Sequence, residues 1–121
     1  MPIQKILIVD DSKTETMFFT DVLQGAGFTV SSASTAGEAL MQMQIERPDL
    51  LLLDIVMPGI NGFEFTRQLR RAPYYANLPI ILCSTKSLDS DKWWGMRQGA
   101  TGYITKPMVP AELLSKIRAL G

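Results

Sequence analysis

Leu50-Leu51-Leu52-Leu53-Asp54 is the stretch on which the reading of this chain turns. Four leucines run unbroken into a carboxylate, with Pro48 before them and Pro58, Gly59 and Gly62 after. So short an apolar run, fenced by turn residues, is the pattern of a strand buried on both faces rather than of a helix. Asp54 is then the first residue to emerge at the strand's C-terminal end. In an open parallel α/β sheet, ligands bind along that edge. Alone, an Asp in this place is better explained as the start of a turn, and only the rest of the chain reverses that choice.

Upstream, Lys5-Ile6-Leu7-Ile8-Val9 repeats the buried-strand pattern and ends in Asp10-Asp11. Ser12-Lys13-Thr14-Glu15 reads as a capping box, with Ser12 capping a helix and Glu15 reaching back. That helix carries Met17, Phe18, Val22 and Leu23 as its apolar residues and stops near Gly25 and Gly27. Phe28 to Ala33 alternates and is more polar, as an edge strand would be. Thr35-Ala36-Gly37-Glu38 is a second capping box. It opens a helix with Ala39, Leu40, Met43 and Ile45 directed inward, closed before Pro48.

Downstream, Asn61 caps a helix from Gly62 to Arg71 with Phe63, Phe65 and Leu69 as core candidates. A polar connection begins with Arg70, Arg71, Pro73 and Tyr74. Pro79 to Cys83 is a fourth strand, ending in Ser84-Thr85-Lys86. Asp89 or Ser90 caps the next helix, which holds Trp93-Trp94 and ends at Gly99. Gly102-Tyr103-Ile104-Thr105 is a short fifth strand, followed by Lys106-Pro107. Pro110 fits the first turn of a last helix striped with Leu113, Leu114, Ile117 and Leu120. The alternation of strand and helix predicts a doubly wound α/β fold, a five-stranded parallel sheet of order 2-1-3-4-5 with five helices.

The 121 residues suit one domain, spanning 1–121. Twelve basic and twelve acidic residues cancel, so neither nucleic acid nor an anionic membrane is favoured as a partner. With no histidine, imidazole catalysis and histidine-ligated metals are excluded. A single cysteine, Cys83, forbids an internal disulfide and fits a reducing compartment. No stretch reads as a signal peptide or a membrane span, so the expected location is the cytoplasm.

Four strand ends then converge on one edge: Asp10 and Asp11, Asp54, Ser84 and Thr85, and Lys106. Clustered carboxylates raise each other's cost of ionisation, and a hard divalent cation relieves it. Mg²⁺ suits such a set, because it takes a few carboxylates, keeps waters and accepts phosphate oxygens. Ser84 and Lys106 can serve further phosphate oxygens, and an aspartyl phosphate is an established covalent form. Singly, each residue has an ordinary explanation as a turn, cap or surface charge. Jointly they make a site.

The pieces Ile8-Val9-Asp10-Asp11-Ser12, Leu53 to Gly62, Ser84-Thr85 and Gly102 to Pro107 resemble a CheY-type receiver domain of a two-component response regulator, in order along the whole chain. The resemblance implies that Asp54 accepts phosphate from a sensor histidine kinase of the CheA kind. It implies that Asp11 binds Mg²⁺ directly, Asp10 helps through water, and the Val56 carbonyl is a further ligand. Ser84 would be the switch hydroxyl, Tyr103 the switch aromatic and Lys106 the phosphate contact, with a cis Lys106–Pro107 peptide. Asp11 to Glu15, Asp54 to Gly59 and Asp91 to Ala100 are most similar to the single-domain regulators of type IV pilus twitching motility, of the PilG and PilH kind. This implies a monomer acting on a downstream motility protein.

Val109 departs from the Asp or Ser that often caps the last helix of receivers. Val56 and Lys86 differ from the polar and acidic pair of the chemotaxis protein, so no phosphate lifetime is implied. Two other readings compete. A flavodoxin would want a phosphate loop rich in Ser, Thr and Gly after the first strand, where this chain has two Asp. A pseudo-receiver that never takes phosphate would not need every reactive position filled. For Trp93 and Trp94, two accounts stand level. Either Trp93 packs on the sheet with Trp94 half buried, or Trp94 belongs to a partner surface. If a phosphoryl group draws Ser84 inward, Tyr103 is expected to turn into the freed space.

Overall fold

The computed structural model describes residues 2–121. Five parallel strands form one sheet: β1 (Lys5–Val9), β2 (Thr29–Ala33), β3 (Leu50–Asp54), β4 (Ile80–Ser84) and β5 (Gly102–Thr105). Five helices alternate with them: α1 (Lys13–Gly25), α2 (Ala36–Ile45), α3 (Gly62–Arg71), α4 (Asp89–Gln98) and α5 (Pro110–Leu120). The strand order is β2-β1-β3-β4-β5, with every pairing parallel, as the alternation predicts.

The run of leucines is explained by the pleat. Successive side chains point to opposite faces, so a strand covered on both sides must be apolar at every position. Leu51 and Leu53 pack with Ala39, Met43, Phe65 and Leu69 of α2 and α3. Leu50 and Leu52 pack on the other face with Phe19, Leu23, Leu113 and Ile117 of α1 and α5. Burying each leucine stabilises the fold by about 1.5–3 kcal/mol. β3 is thereby pinned, and Asp54 with it. The edge strand β2 is more polar, and the Gln42 amide Nε2 donates to the outward Ser32 carbonyl at 2.8 Å.

Several helix faces lie elsewhere than the sequence suggests. In α1 the inward residue is Phe19, 3 % exposed, whereas Phe18 is 48 % exposed and Met17 is exposed also. Met17-Phe18-Phe19 sweeps some 200° of helix surface, and only Phe19 stands four residues from buried Leu23. Ile45 is exposed, because it lies two positions beyond buried Met43 and so points away from the sheet. In α4 the buried residue is Gly95. A Cβ there would meet Leu82 Cδ1 at 2.8 Å and Tyr103 Cδ2 at 3.3 Å, so the helix backbone itself lies against the sheet. Trp93, two residues earlier, faces outward and is 62 % exposed, and Trp94 is 44 % exposed. Packing of Trp93 on the sheet is therefore excluded.

The caps differ too. Ser12 and Thr35 accept the Glu15 and Glu38 amides at 3.3 and 3.1 Å. The reciprocal capping box, however, is Asn61 with Glu64, which opens α3. The N-cap of α4 is Leu88 rather than Asp89 or Ser90, and its N–H donates to the Asp91 carboxylate at 3.2 Å. Val109 caps α5 without a side-chain bond. The connection after α3 is not merely polar. It forms a 3₁₀ turn, Pro73–Tyr75, with Tyr75 buried. Arg70 ties it down, donating through Nε to the Gly99 carbonyl and through Nη1 to the Tyr75 carbonyl, both at 2.8 Å.

Candidate functional site

Parallel pairing places every strand's C-terminal end on one edge, and that edge gathers the polar residues. Asp10 follows β1, Asp54 ends β3, Ser84 ends β4, and Lys106 follows β5. Asp10, Asp54, Ser84 and Lys106 are all buried, while Asp11 and Thr85 are exposed. Gly62 allows the start of α3 to close on this edge. A side chain there would collide with the Asp54 carbonyl and come within 2.8 Å of Ile55 Cα.

Asp10, Asp11 and Asp54 each offer a carboxylate oxygen within 4.8 Å of the others. Lys106 joins this cluster. Its ammonium Nζ lies 2.9 Å from Asp10 Oδ2, 2.7 Å from Glu15 Oε2 and 3.5 Å from Asp54 Oδ1. Asp10 is held at both ends, since its Oδ1 accepts the Ser12 N–H at 2.9 Å. The Lys106–Pro107 peptide is cis.

The electrostatics follow from burial and these neighbours. Burial pushes the Asp54 carboxyl up to about 6, with the Asp10 charge adding to the rise and the Lys106 ammonium opposing it. For Lys106, burial alone would favour the neutral amine. The bonds to Glu15 and Asp10 and the charges of Asp10 and Asp54 outweigh it and hold the group above the usual lysine range. Lys106 is thus a fixed cation, and Asp54 is an acid whose ionised form is poorly compensated. Burial also pushes the Cys83 thiol up to about 12, so this neighbour is inert.

The donor set fits a hard divalent cation. It consists of carboxylate oxygens only, close enough to share one ion, and one of them is under-compensated. Asp11 is the exposed member, through which an ion still carrying water can be met.

Next to the acids, the loop after β4 is tied through one residue. The Lys86 N–H donates to Ser84 Oγ at 3.1 Å, and the Tyr103 hydroxyl donates to the Lys86 carbonyl at 2.7 Å. Tyr103 is already buried, and burial raises its phenol above the ordinary range. In this conformation the ring lies inward, with its hydroxyl on the Lys86 carbonyl. Glu15 escaped the sequence reading as a member of the site, whereas Lys86 is marked there only as a departure from the acidic residue of the chemotaxis protein. Glu15 has the spacing of a capping box, and Lys86 contributes only backbone atoms.

Comparison with known proteins agrees with this arrangement. The family model of the response regulator receiver domain matches residues 6–118. Protein PilH of Pseudomonas aeruginosa is 45% identical over 116 residues, covering 96% of each chain. Other curated relatives are longer, and the chain spans about half of them. A putative response regulator from Chloroflexus aurantiacus superposes with a TM-score of 0.93 at 35% identity, over 99% of this chain and 98% of that one. The chemotaxis response regulator CheY4 of Vibrio cholerae does so with a TM-score of 0.91 at 34% identity, over 98% and 99%. An acid cluster with one lysine at the sheet edge, on this strand order and with this family match, makes the chain a response regulator receiver domain.

Proposed function

We propose that residues 1–121 act as a stand-alone phosphorylation switch in which Asp54 accepts a phosphoryl group from a histidine kinase of the CheA kind. The observation that carries this reading is the Asp54 carboxylate, fixed at the end of the central strand between two acids and a buried lysine. At neutral pH, above a value of about 6, Asp54 is mostly ionised and able to attack phosphorus. The bond from phosphorus to the donor nitrogen breaks as the bond to the Asp54 oxygen forms, and the nitrogen keeps the electron pair. Lys106 neutralises one phosphoryl oxygen, and the Ser84 hydroxyl donates to another. Mg²⁺, held by Asp10, Asp11, Asp54 and the Val56 carbonyl, would supply the remaining charge neutralisation when bound.

The output follows from the tie at Lys86. A Ser84 hydroxyl drawn to the phosphoryl group releases the Lys86 N–H, which loosens the carbonyl that Tyr103 holds. Tyr103 packs against Gly95, so a shift of the loop reaches α4. The change in the α4–β5–α5 face biases a two-state element rather than creating a new one. Trp93 and Trp94 stand exposed on that helix, where the partner-surface account of Trp94 places a motility protein. The likeness to PilH supports a pathway of the type IV pilus, twitching-motility kind, and in this reading the receiver works as a monomer in the cytoplasm. No helix among the described residues is long and apolar enough to cross a membrane.

Beryllofluoride with Mg²⁺, an acyl-phosphate mimic, should change the indole emission of the wild-type chain. The change should shrink in Ser84→Ala, where the drawn hydroxyl is missing. An adduct that leaves both the emission and the amide exchange of α4 unaltered would place the output on another face.

A further inference from the structure

We infer that Glu15 is a positioning residue that holds the Lys106 ammonium back from Asp54, so that its carboxylate competes with an incoming phosphoryl group for the lysine. The inference rests on Asp54 being the phosphoacceptor and concerns how that site is regulated.

Glu15 is the third residue of α1, where a glutamate after a serine cap would normally turn back to the cap's own N–H. That N–H is taken, because Ser12 donates to Asp10 Oδ1 at 2.9 Å. The Glu15 carboxylate is therefore free to reach across the strand ends. It accepts from Lys106 Nζ at 2.7 Å, the shortest of the three contacts that the ammonium makes. Asp10 takes a second at 2.9 Å, and Asp54 is left with 3.5 Å, beyond a good hydrogen bond. An ammonium has three hydrogens to give, and two of them point to acceptors other than Asp54.

The pair differs from an ordinary surface ion pair. The Lys106 side chain is 6% exposed, so its charge cannot turn to water when a partner is lost. The Glu15 side chain is 42% exposed, so it can be released to solvent at small cost. Glu15 is thus a carboxylate that a phosphoryl oxygen can displace. Holding it in place opposes phosphorylation twice. It occupies the lysine, and it adds a negative charge at the rim where a dianionic donor approaches.

Glu15→Gln keeps the length and the oxygen of the side chain while removing the charge. At saturating Mg²⁺ the variant should bind beryllofluoride roughly three- to tenfold more tightly than wild type. The ¹⁵N resonance of the Lys106 ammonium should shift in the unphosphorylated variant and match wild type in the beryllofluoride complex, where Glu15 no longer holds it. Glu15→Asp, too short to reach Lys106 but still charged at the rim, should tighten beryllofluoride less than Glu15→Gln does. A merely structural role would lower the unfolding temperature without tightening beryllofluoride. Binding that is unchanged or weaker in a folded Glu15→Gln, while wild type still forms its adduct at Asp54, overturns this inference alone. A wild-type chain that takes no beryllofluoride overturns the phosphoacceptor reading and this inference with it.

Discussion

Asp11→Ala should lose Mg²⁺-dependent phosphorylation by at least about 100-fold, more than removing an indirect partner of a metal costs. Of the clustered acids, Asp10 has both oxygens committed, one to the Ser12 N–H and one to Lys106. Asp54 is buried and is the proposed phosphoacceptor. Asp11 is the carboxylate exposed to a hydrated ion, and without it the remaining charge cannot outcompete water for Mg²⁺. Because Asp11 is exposed, its removal should leave the fold intact and relieve repulsion in the metal-free state. A Mg²⁺ titration and the rate of adduct formation from acetyl phosphate test this directly. Unchanged Mg²⁺ affinity in Asp11→Ala would mean that the ion is held by other groups.

The second large effect concerns stability. With Mg²⁺ removed by a chelator, Asp54→Asn should be more stable than wild type at pH 8 by roughly 2–3 kcal/mol. The Asp54 carboxyl lies at about 6 in the folded chain against an ordinary 3.8. Between those values the folded state binds more protons than the unfolded one, so stability falls as pH rises from 4 to 6 and then levels off. An amide carries no charge to desolvate and avoids that loss. Lys106 is not orphaned by the substitution, since Glu15 and Asp10 remain its partners. The advantage of the variant should disappear below pH 4, where the wild-type carboxyl is protonated in both states. Urea unfolding at several pH values checks the sign. An advantage that is the same at pH 3.5 and pH 8 would show that the Asp54 charge costs the fold nothing.

These effects trace back to what the sequence discloses well and what it discloses poorly. A strand buried on both faces has one possible pattern, and Leu50 to Leu53 display it, so the central strand and the position of Asp54 were legible. Parallel order then brings Asp10, Ser84 and Lys106 to the same edge without reference to any side-chain detail. Helix rotation is less determined. Met17-Phe18-Phe19 offers three apolar neighbours, and only packing against the sheet selects Phe19. In α4 the contact residue is a glycine, which no hydrophobic pattern can mark, and so both tryptophans were open to misplacement. Glu15 was hidden for another reason. Its spacing from Ser12 satisfies a local rule, and the partner that overrides that rule, Lys106, lies 91 residues away. The tie at Lys86 is made by backbone atoms, which any residue would supply.

Every role proposed for this site depends on Asp54 being the phosphoacceptor. Mass spectrometry after incubation with acetyl phosphate and Mg²⁺, on wild type and Asp54→Asn together, tests it most directly. Wild type should carry one phosphoryl adduct, located on Asp54 by fragmentation, and the variant none. An adduct at wild-type level in Asp54→Asn, or one carried by Asp10 or Asp11 in the wild-type chain, would contradict it.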